Sequence, residues 1–161
     1  NAGADTMGMV LLARYLASLN ADTHVALVAN TTAALNDITF DELRRFVSSC
    51  VKSDDTLRAL VDEGRVQCLP SGATSTLLDF SRVSQDLASY VNGASVREND
   101  WLVVLDGMGR SLESNWNAAS YMSPGVDVLS LAMVKSEINA RRLGAEVYDC
   151  VVRLNTAPNV S

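Results

Sequence analysis

The sequence predicts an α/β fold built on a layered, largely parallel sheet. Short apolar runs of strand length alternate with amphipathic segments of helix length, and polar or small-residue loops separate them. The 161 residues are 48% apolar and 20% charged, which is ordinary usage for a globular protein. We therefore expect one domain over residues 1–154, followed by a tail at residues 155–161.

A helix opens the chain and a strand follows it. Apolar side chains at helical spacing predict a helix over residues 5–19, for which Asp5 and Thr6 supply capping chemistry. The apolar run at residues 24–29 is bounded by polar turns and contains β-branched valines, which favours a buried strand. A loop is expected over residues 30–37.

Two helices and a second strand come next. Thr39 and Glu42 have the spacing of a capping box, in which each side chain satisfies a main-chain N–H of the other residue. This predicts a helix to about residue 51, and a shorter helix is expected over residues 54–63. The run at residues 66–69 then indicates a strand.

The remaining elements follow the same alternation. They are a helix over 79–91, a strand over 101–105, an irregular stretch over 111–124, a long helix over 127–143 and a strand over 147–154. Gly144 supplies the C-cap of the long helix. Because strands that alternate with helices pair in parallel, we expect a three-layer, Rossmann-like sheet with helices on both faces.

Composition excludes several classes of function. The formal net charge is −6, so nucleic-acid binding is not expected. No apolar run approaches the roughly 18 residues of a membrane span. The single histidine, His24, excludes sites that need two. Cys50, Cys68 and Cys150 are scattered, which predicts buried free thiols in a reducing, cytoplasmic environment.

Three loops follow predicted strands, where α/β sheets gather their active groups. In the first, Asn36 and Asp37 offer an amide and a carboxylate oxygen to a divalent cation, although an Asn-Asp pair is also ordinary turn chemistry. In the second, Ser71 and Gly72 form either an anion-binding nest or a solvated loop. Asp79 begins the next helix in either case.

The third loop, Asp106-Gly-Met-Gly-Arg110, leaves a strand. Its glycines allow a ligand to approach the main chain, and Arg110 could hold a phosphate by two hydrogen bonds; a tight turn explains the glycines equally well. Lys135 follows an apolar stretch and is either a phosphate partner or a lysine whose ammonium group reaches solvent.

Several motifs in the same order resemble the metal-dependent phosphatases of the "domain of unknown function eighty-nine" family, above all the branch fused to pantothenate kinases. They are Asn1-Ala-Gly-Ala-Asp5, Val28-Ala-Asn30 with Ala34-Leu-Asn-Asp-Ile-Thr39, Ser71-Gly72 with Leu78-Asp-Phe-Ser-Arg-Val-Ser84, Asp106-Gly-Met-Gly-Arg-Ser-Leu-Glu-Ser-Asn115, Leu131-Ala-Met-Val-Lys135 and Val147-Tyr-Asp-Cys150. The resemblance covers roughly residues 1–154, and the chain is similar to the C-terminal part of such proteins.

The resemblance implies a divalent metal, Mg²⁺ or Mn²⁺, and a small phosphorylated metabolite as substrate. Asn1 and Asp37 would be the catalytic metal ligands, together with an aspartate expected before Asn1. The phosphate would be held by four residues: Ser71, Gly72, Arg110 and Lys135. Supporting roles would fall to Asp5, Asn36, Asp79, Arg82, Asp106 and Asn115.

Three departures from that family leave other functions open. The aspartate expected before Asn1 is not in the sequence, Ser130 stands where the branch has lysine, and Asp106 stands where the family has glutamate. A catalytically impaired module that regulates or stabilises an attached kinase is therefore the first alternative. A Rossmann-like binder of a nucleotide or a methyl donor is the second, although no glycine-rich G-x-G-x-x-G loop opens a helix.

Overall fold

The computed structural model describes residues 2–93, 101–120, 122 and 125–156. They form two compact units. Residues up to Thr76 and Phe80–Asn92 make the first unit, and Leu77–Asp79 packs with the residues from Gly93 onward in the second. The number of domains stays a prediction.

The first unit carries a parallel pair of strands among helices. Its elements are α1 (Ala2–Leu19), β1 (Val25–Ala29), α2 (Phe40–Cys50), α3 (Asp55–Asp62), β2 (Val66–Pro70), a 3₁₀-turn (Phe80–Arg82) and α4 (Gln85–Gly93). In the β1–β2 ladder Val25 lies opposite Val66 and Ala29 lies opposite Pro70. The parallel ladder brings the loops that follow both strands to one edge.

The core of the first unit lies between α1, the strands and the next two helices. Its buried members are Val10, Ala13, Ala17, Leu27, Ala29, Leu43, Val47, Leu57, Leu60 and Val66. Each fully buried leucine stabilises the fold by about 2 kcal/mol. The Arg65 guanidinium donates to the carbonyls of Ala17 and Asn20, which satisfies acceptors that the end of α1 leaves open.

The second unit contains a three-stranded sheet in the order β3-β4-β5. Its elements are β3 (Trp101–Asp106), a π-helical turn (Gly109–Glu113), a 3₁₀-turn (Ala118–Ser120), β4 (Val126–Met133), α5 (Glu137–Leu143) and β5 (Cys150–Asn155). β3 pairs with β4 in parallel, and β5 pairs with β4 in antiparallel. Leu112, Val134 and Ala140 form a buried cluster beside the sheet.

The α/β class and the parallel pairing of strands are confirmed. Three boundaries in the first half also agree closely: α1, the capping box before α2, and β2. The Thr39 hydroxyl accepts from the Glu42 amide while the Glu42 carboxylate accepts from the Thr39 amide, as the spacing predicts.

The predicted helix over residues 127–143 is wrong. Its first half is the strand β4 and only its second half, α5, is helical. Apolar side chains lie on both faces of β4, Val128 and Ala132 on one and Leu129 and Leu131 on the other, so its sequence lacks the alternation of a half-exposed strand. Gly144 does cap α5, at φ +64°.

Three smaller expectations need correction. The helix predicted over 79–91 is broken into a 3₁₀-turn and α4, because the Ser84 hydroxyl accepts from the Leu87 amide and starts α4. The last strand is antiparallel to its neighbour. Cys150 is exposed, whereas Cys50 and Cys68 are partly buried free thiols.

Within the described residues, no helix has the length and apolar content to cross a membrane.

Candidate functional site

Asp37 lies in the loop after β1, above the end of the strand. Asn30, which follows β1 directly, is 1% exposed, and its Nδ2 lies 3.4 Å from Asp37 Oδ2 and 3.1 Å from the Ser75 carbonyl oxygen. The Asp37 amide donates to the Ala34 carbonyl at 3.0 Å. Hydrogen bonds within the first unit therefore hold both the main chain and the side chain of Asp37.

A cavity of about 380 Å³ opens beside Asp37. It is lined by Gly3, Thr6, Ala33, Leu35, Asn36, Asp37, Ile38, Glu42 and Phe46. Gly3 and Thr6 belong to α1, so residues of that helix and Asp37 line the same space.

The second carboxylate of the lining, Glu42, is engaged in the capping box. Its Oε2 accepts from the Thr39 amide at 2.9 Å and from the Thr39 hydroxyl at 2.8 Å. Hydrogen bonds from the Thr39 amide, then from its hydroxyl, lower the pKa of Glu42. Asp37 is consequently the carboxylate of this lining that suits a ligand role.

Ser71 and Gly72 follow β2, at the same edge of the ladder. Their amides donate within the protein: Ser71 to the Ala29 carbonyl at 2.7 Å and Gly72 to Thr31 Oγ1 at 2.9 Å. The Ala73 amide donates to Ser71 Oγ at 3.0 Å. The main-chain amides thus serve the loop itself, and the Ser71 hydroxyl still has a proton to donate.

Four further predicted residues belong to the first unit or precede its described part. Asp5 is exposed in the first turn of α1, and Arg82 is exposed at the end of the 3₁₀-turn. Asn36 is exposed and lines the cavity beside Asp37. Asn1, the other expected metal ligand, lies outside the described residues.

The second unit holds the glycine-containing loop at the end of β3. Asp106 closes the strand, and Gly107 turns the chain at φ +98° while its amide donates to the Leu131 carbonyl at 2.9 Å. The π-helical turn begins at Gly109 and carries the partly buried Arg110. Such turns are rare, and they occur frequently at functional sites.

Lys135 lies beside this loop, after the end of β4. Its amide donates to Met108 Sδ at 3.4 Å, and its side chain is exposed. Because β3 and β4 are parallel neighbours, the loops that carry Arg110 and Lys135 share one edge of the sheet. Lys135 therefore lies in a loop, and the helical position expected for it is wrong.

Asn115 and Asp79 complete the second unit's set. Asn115 is 4% exposed, and its amide nitrogen donates to Leu78, Arg110 and Ser114. Asp79 follows Leu78 and is exposed. Of the predicted site residues, the second unit holds Asp79, Asp106, Arg110, Asn115 and Lys135, and the first unit holds the others that the structure describes.

Residues outside the expected set also shape the loops. Asn30 and Thr31 follow β1 and bind the loop after β2. Asn139 of α5 is 6% exposed and donates to Glu113 Oε1 at 3.0 Å. The signal for Asn30 was its position directly after a predicted strand, but its partners lie too far along the chain for spacing to reveal them.

The donor set at Asp37 suits a hard divalent cation. Among the described residues, no three histidine, cysteine or acidic side chains converge as a metal cluster. Mg²⁺ does not require one, since it binds proteins through one or two carboxylates and takes its other oxygens from water and phosphate. Asp37 supplies such a carboxylate, beside the Asn36 amide and a cavity open to a ligand.

The fold defines an α/β protein whose candidate functional residues lie in loops that follow parallel strands. A solved structure has a similar fold. The crystal structure of a DUF89 family protein from Pyrococcus horikoshii matches 83% of this chain with a TM-score of 0.52 and 17% sequence identity. This chain covers 38% of that one. The likeness shows the fold.

The chain belongs to the damage-control phosphatase ARMT1-like domain family, whose profile matches residues 1–151. It is 35% identical to pantothenate kinase 2 of Oryza sativa subsp. japonica over 98% of its length and 37% identical to pantothenate kinase 2 of Arabidopsis thaliana over 95%. It is 36% identical, over 96% of its length, to a damage-control phosphatase of Arabidopsis thaliana. The resemblance found in the sequence is confirmed.

These relatives are much longer than the chain. It spans 19% and 18% of the two kinases and 39% of the Arabidopsis phosphatase.

Proposed function

We propose that the chain is the phosphatase domain of a damage-control enzyme, which hydrolyses small phosphorylated metabolites with the help of a divalent metal. Phosphopantetheine-like or damaged phosphometabolites are the proposed substrate class. Family membership supports the hydrolase assignment. The observation that carries it is Asp37, which lines the cavity together with residues of α1 and whose carboxylate accepts a hydrogen bond from Asn30.

Asp37 and Asn1 are the proposed ligands of Mg²⁺ or Mn²⁺. Both ions accept carboxylate and amide oxygens, which is the chemistry of this pair. When bound, such an ion polarises a phosphate ester and favours attack by water. Asn30 keeps the Asp37 carboxylate in place.

Arg110 and Lys135 are the proposed cationic phosphate ligands, and the Ser71 hydroxyl is a neutral one. A guanidinium binds two phosphate oxygens at once, whereas an ammonium acts as a point charge. The Gly72 amide donates to Thr31 Oγ1, so Gly72 is proposed to contribute to phosphate binding through the absence of a side chain. Asp5, Asn36, Asp79, Arg82, Asp106 and Asn115 are proposed to orient these groups.

The test is phosphate release from an aryl phosphate in the presence of Mg²⁺, Mn²⁺ or Co²⁺. It uses the natural polypeptide that contains this chain, with Asp37→Asn as the variant and Asp41→Asn as the matched control. Asp41 is exposed on α2 and lies 3.8 Å from Arg44. We expect Asp37→Asn to lose roughly a hundredfold or more in rate, while the control keeps the wild-type rate. Equal rates in Asp37→Asn and wild type would contradict the metal site.

One observation favours a second function, a non-catalytic module beside a kinase. Ser130, where the kinase-fused branch has lysine, is an uncharged residue, so position 130 presents no cation to a ligand; it is 0% exposed in the central strand of the β3-β4-β5 sheet. If the natural polypeptide releases no phosphate with any of the three metals, this function is expected instead. Removal of the domain would then lower the unfolding temperature of the attached kinase.

A further inference from the structure

The segment Leu77–Asp79 has an unusual place in the chain. Residues before it and after it, up to Thr76 and from Phe80 to Asn92, pack in the first unit, yet these three residues pack in the second. The segment ends in Asp79, one of the acidic residues after β2. A short excursion of this kind needs a specific anchor, because three residues bury little surface.

Asn115 supplies the anchor. Its Nδ2 donates to the Leu78 carbonyl at 3.0 Å, to the Arg110 carbonyl at 2.8 Å and to Ser114 Oγ at 2.9 Å. A primary amide has two N–H groups, so the three acceptors share both protons. The side chain is 4% exposed, and water therefore competes little for these bonds.

The same amide also supports the π-helical turn. The Ser114 amide closes that turn on the Gly109 carbonyl at 3.1 Å, and the Ser114 hydroxyl donates to the same carbonyl at 2.8 Å. The Arg110 carbonyl inside the turn receives the Asn115 amide. One side chain thus fixes the main chain at Arg110 and directly before Asp79.

We propose that Asn115 is a positioning residue for phosphate binding. By holding the Leu78 and Arg110 carbonyls on one nitrogen, it sets where the Asp79 carboxylate stands relative to the Arg110 guanidinium. An acidic side chain in a fixed place orients a guanidinium for two-point binding of a phosphate. The role of Arg110 in this proposal rests on the proposed phosphatase function; the anchoring of Leu77–Asp79 does not.

The experiment compares Asn115→Ser with Asn117→Ser in the natural polypeptide. Ser removes the amide without adding charge, and Asn117 is an exposed asparagine of the same stretch. We expect chymotrypsin to cleave within residues 77–80 roughly tenfold faster in Asn115→Ser, and the Kd for inorganic phosphate to rise roughly tenfold. The Kd for Mn²⁺, which depends on the Asp37 site, should stay within about twofold of wild type.

Each outcome decides the proposal. Faster cleavage with weaker phosphate binding and an unchanged Kd for Mn²⁺ supports it. Unchanged cleavage overturns the anchor, and faster cleavage with unchanged phosphate binding reduces Asn115 to a structural residue. If Asn115→Ser does not fold, the same cleavage is measured on the wild-type protein with and without saturating inorganic phosphate. Phosphate should slow cleavage within residues 77–80 at least threefold. An unchanged cleavage rate overturns the proposal. These readouts hold even if no substrate is hydrolysed.

Discussion

Thr31 and Gly72 join the loops that follow β1 and β2. The Thr31 hydroxyl oxygen accepts from the Gly72 amide at 2.9 Å, and the Thr31 amide donates to the Ala73 carbonyl at 3.0 Å. The main chain of residues 82–84 packs closely against the other side of Gly72 and leaves no space for a side chain there. The loop is therefore fixed from two directions, and its shape depends on glycine at position 72.

Substitution Gly72→Ala should strongly destabilise the first unit. A Cβ at this position would lie 2.6 Å from the Ser84 nitrogen and 2.8 Å from the Arg82 carbonyl oxygen, and the residue also has φ +88°. Overpacking against main chain and the left-handed conformation together cost about 3 kcal/mol. Urea denaturation of the variant measures the loss.

Gly64→Ala is the matched control for Gly72→Ala. Gly64 also has a positive φ, +72°, but its Cβ would meet only the end of the Gln67 side chain, at 3.5 Å. The conformational cost remains and the steric cost is removed, so we expect about 1 kcal/mol. Equal losses in the two variants would contradict the close approach of residues 82–84.

Thiol reactivity should separate Cys150 from Cys68. Cys150 is exposed on the edge strand β5, whereas burial raises the pKa of Cys68 to about 11. At pH 8 only about one Cys68 in a thousand is then a thiolate, the form that reacts. We expect a fast reaction with Ellman's reagent that Cys150→Ser abolishes; a fast phase that persists in this variant would contradict the assignment.

The sequence was sufficient where a local pattern determines the structure. Thr39 and Glu42 form their capping box three residues apart, and α2 follows as expected. The residues that decide this outcome are neighbours along the chain. The role of Asp37 rests on its place in the loop after β1 and on the family resemblance, and it stays a prediction.

Prediction failed where distant pairing determines the structure. β4 has strand neighbours on both sides and apolar side chains on both faces, so its sequence lacks the alternation that would have distinguished it from a helix. The contacts of Asn30 with Ser75 and of Thr31 with Gly72 span 45 and 41 residues. They exist because β1 and β2 pair, which spacing within one loop cannot reveal.

The capping box should make the stability of α2 depend on pH. Hydrogen bonds from Thr39 lower the pKa of Glu42 below its ordinary 4.5, so the ionised form stabilises the folded state. This contribution is complete above the ordinary pKa and is lost as pH falls through the lowered one. The difference in urea midpoint between wild type and Glu42→Gln should therefore be constant from pH 7 to about 5.5 and shrink towards pH 3. A difference that does not change with pH would contradict the role of the charge.

Asn30→Ala should weaken both the fold and the proposed metal site. Asn30 is fully buried and donates to Asp37 and to the Ser75 carbonyl, so its loss removes two hydrogen bonds and costs about 2 kcal/mol in the free energy of unfolding. Without the Asn30 hydrogen bond, the Asp37 carboxylate should bind Mn²⁺ about tenfold more weakly, as expected if Asn30 orients the proposed metal ligand. Thr32→Ala, an exposed change two positions along, is the control and should alter neither quantity. Urea denaturation measures the loss of stability, and calorimetric titration with Mn²⁺ measures the affinity. A loss of stability with unchanged Mn²⁺ affinity would mean that Asn30 supports the loop but does not orient the Asp37 carboxylate.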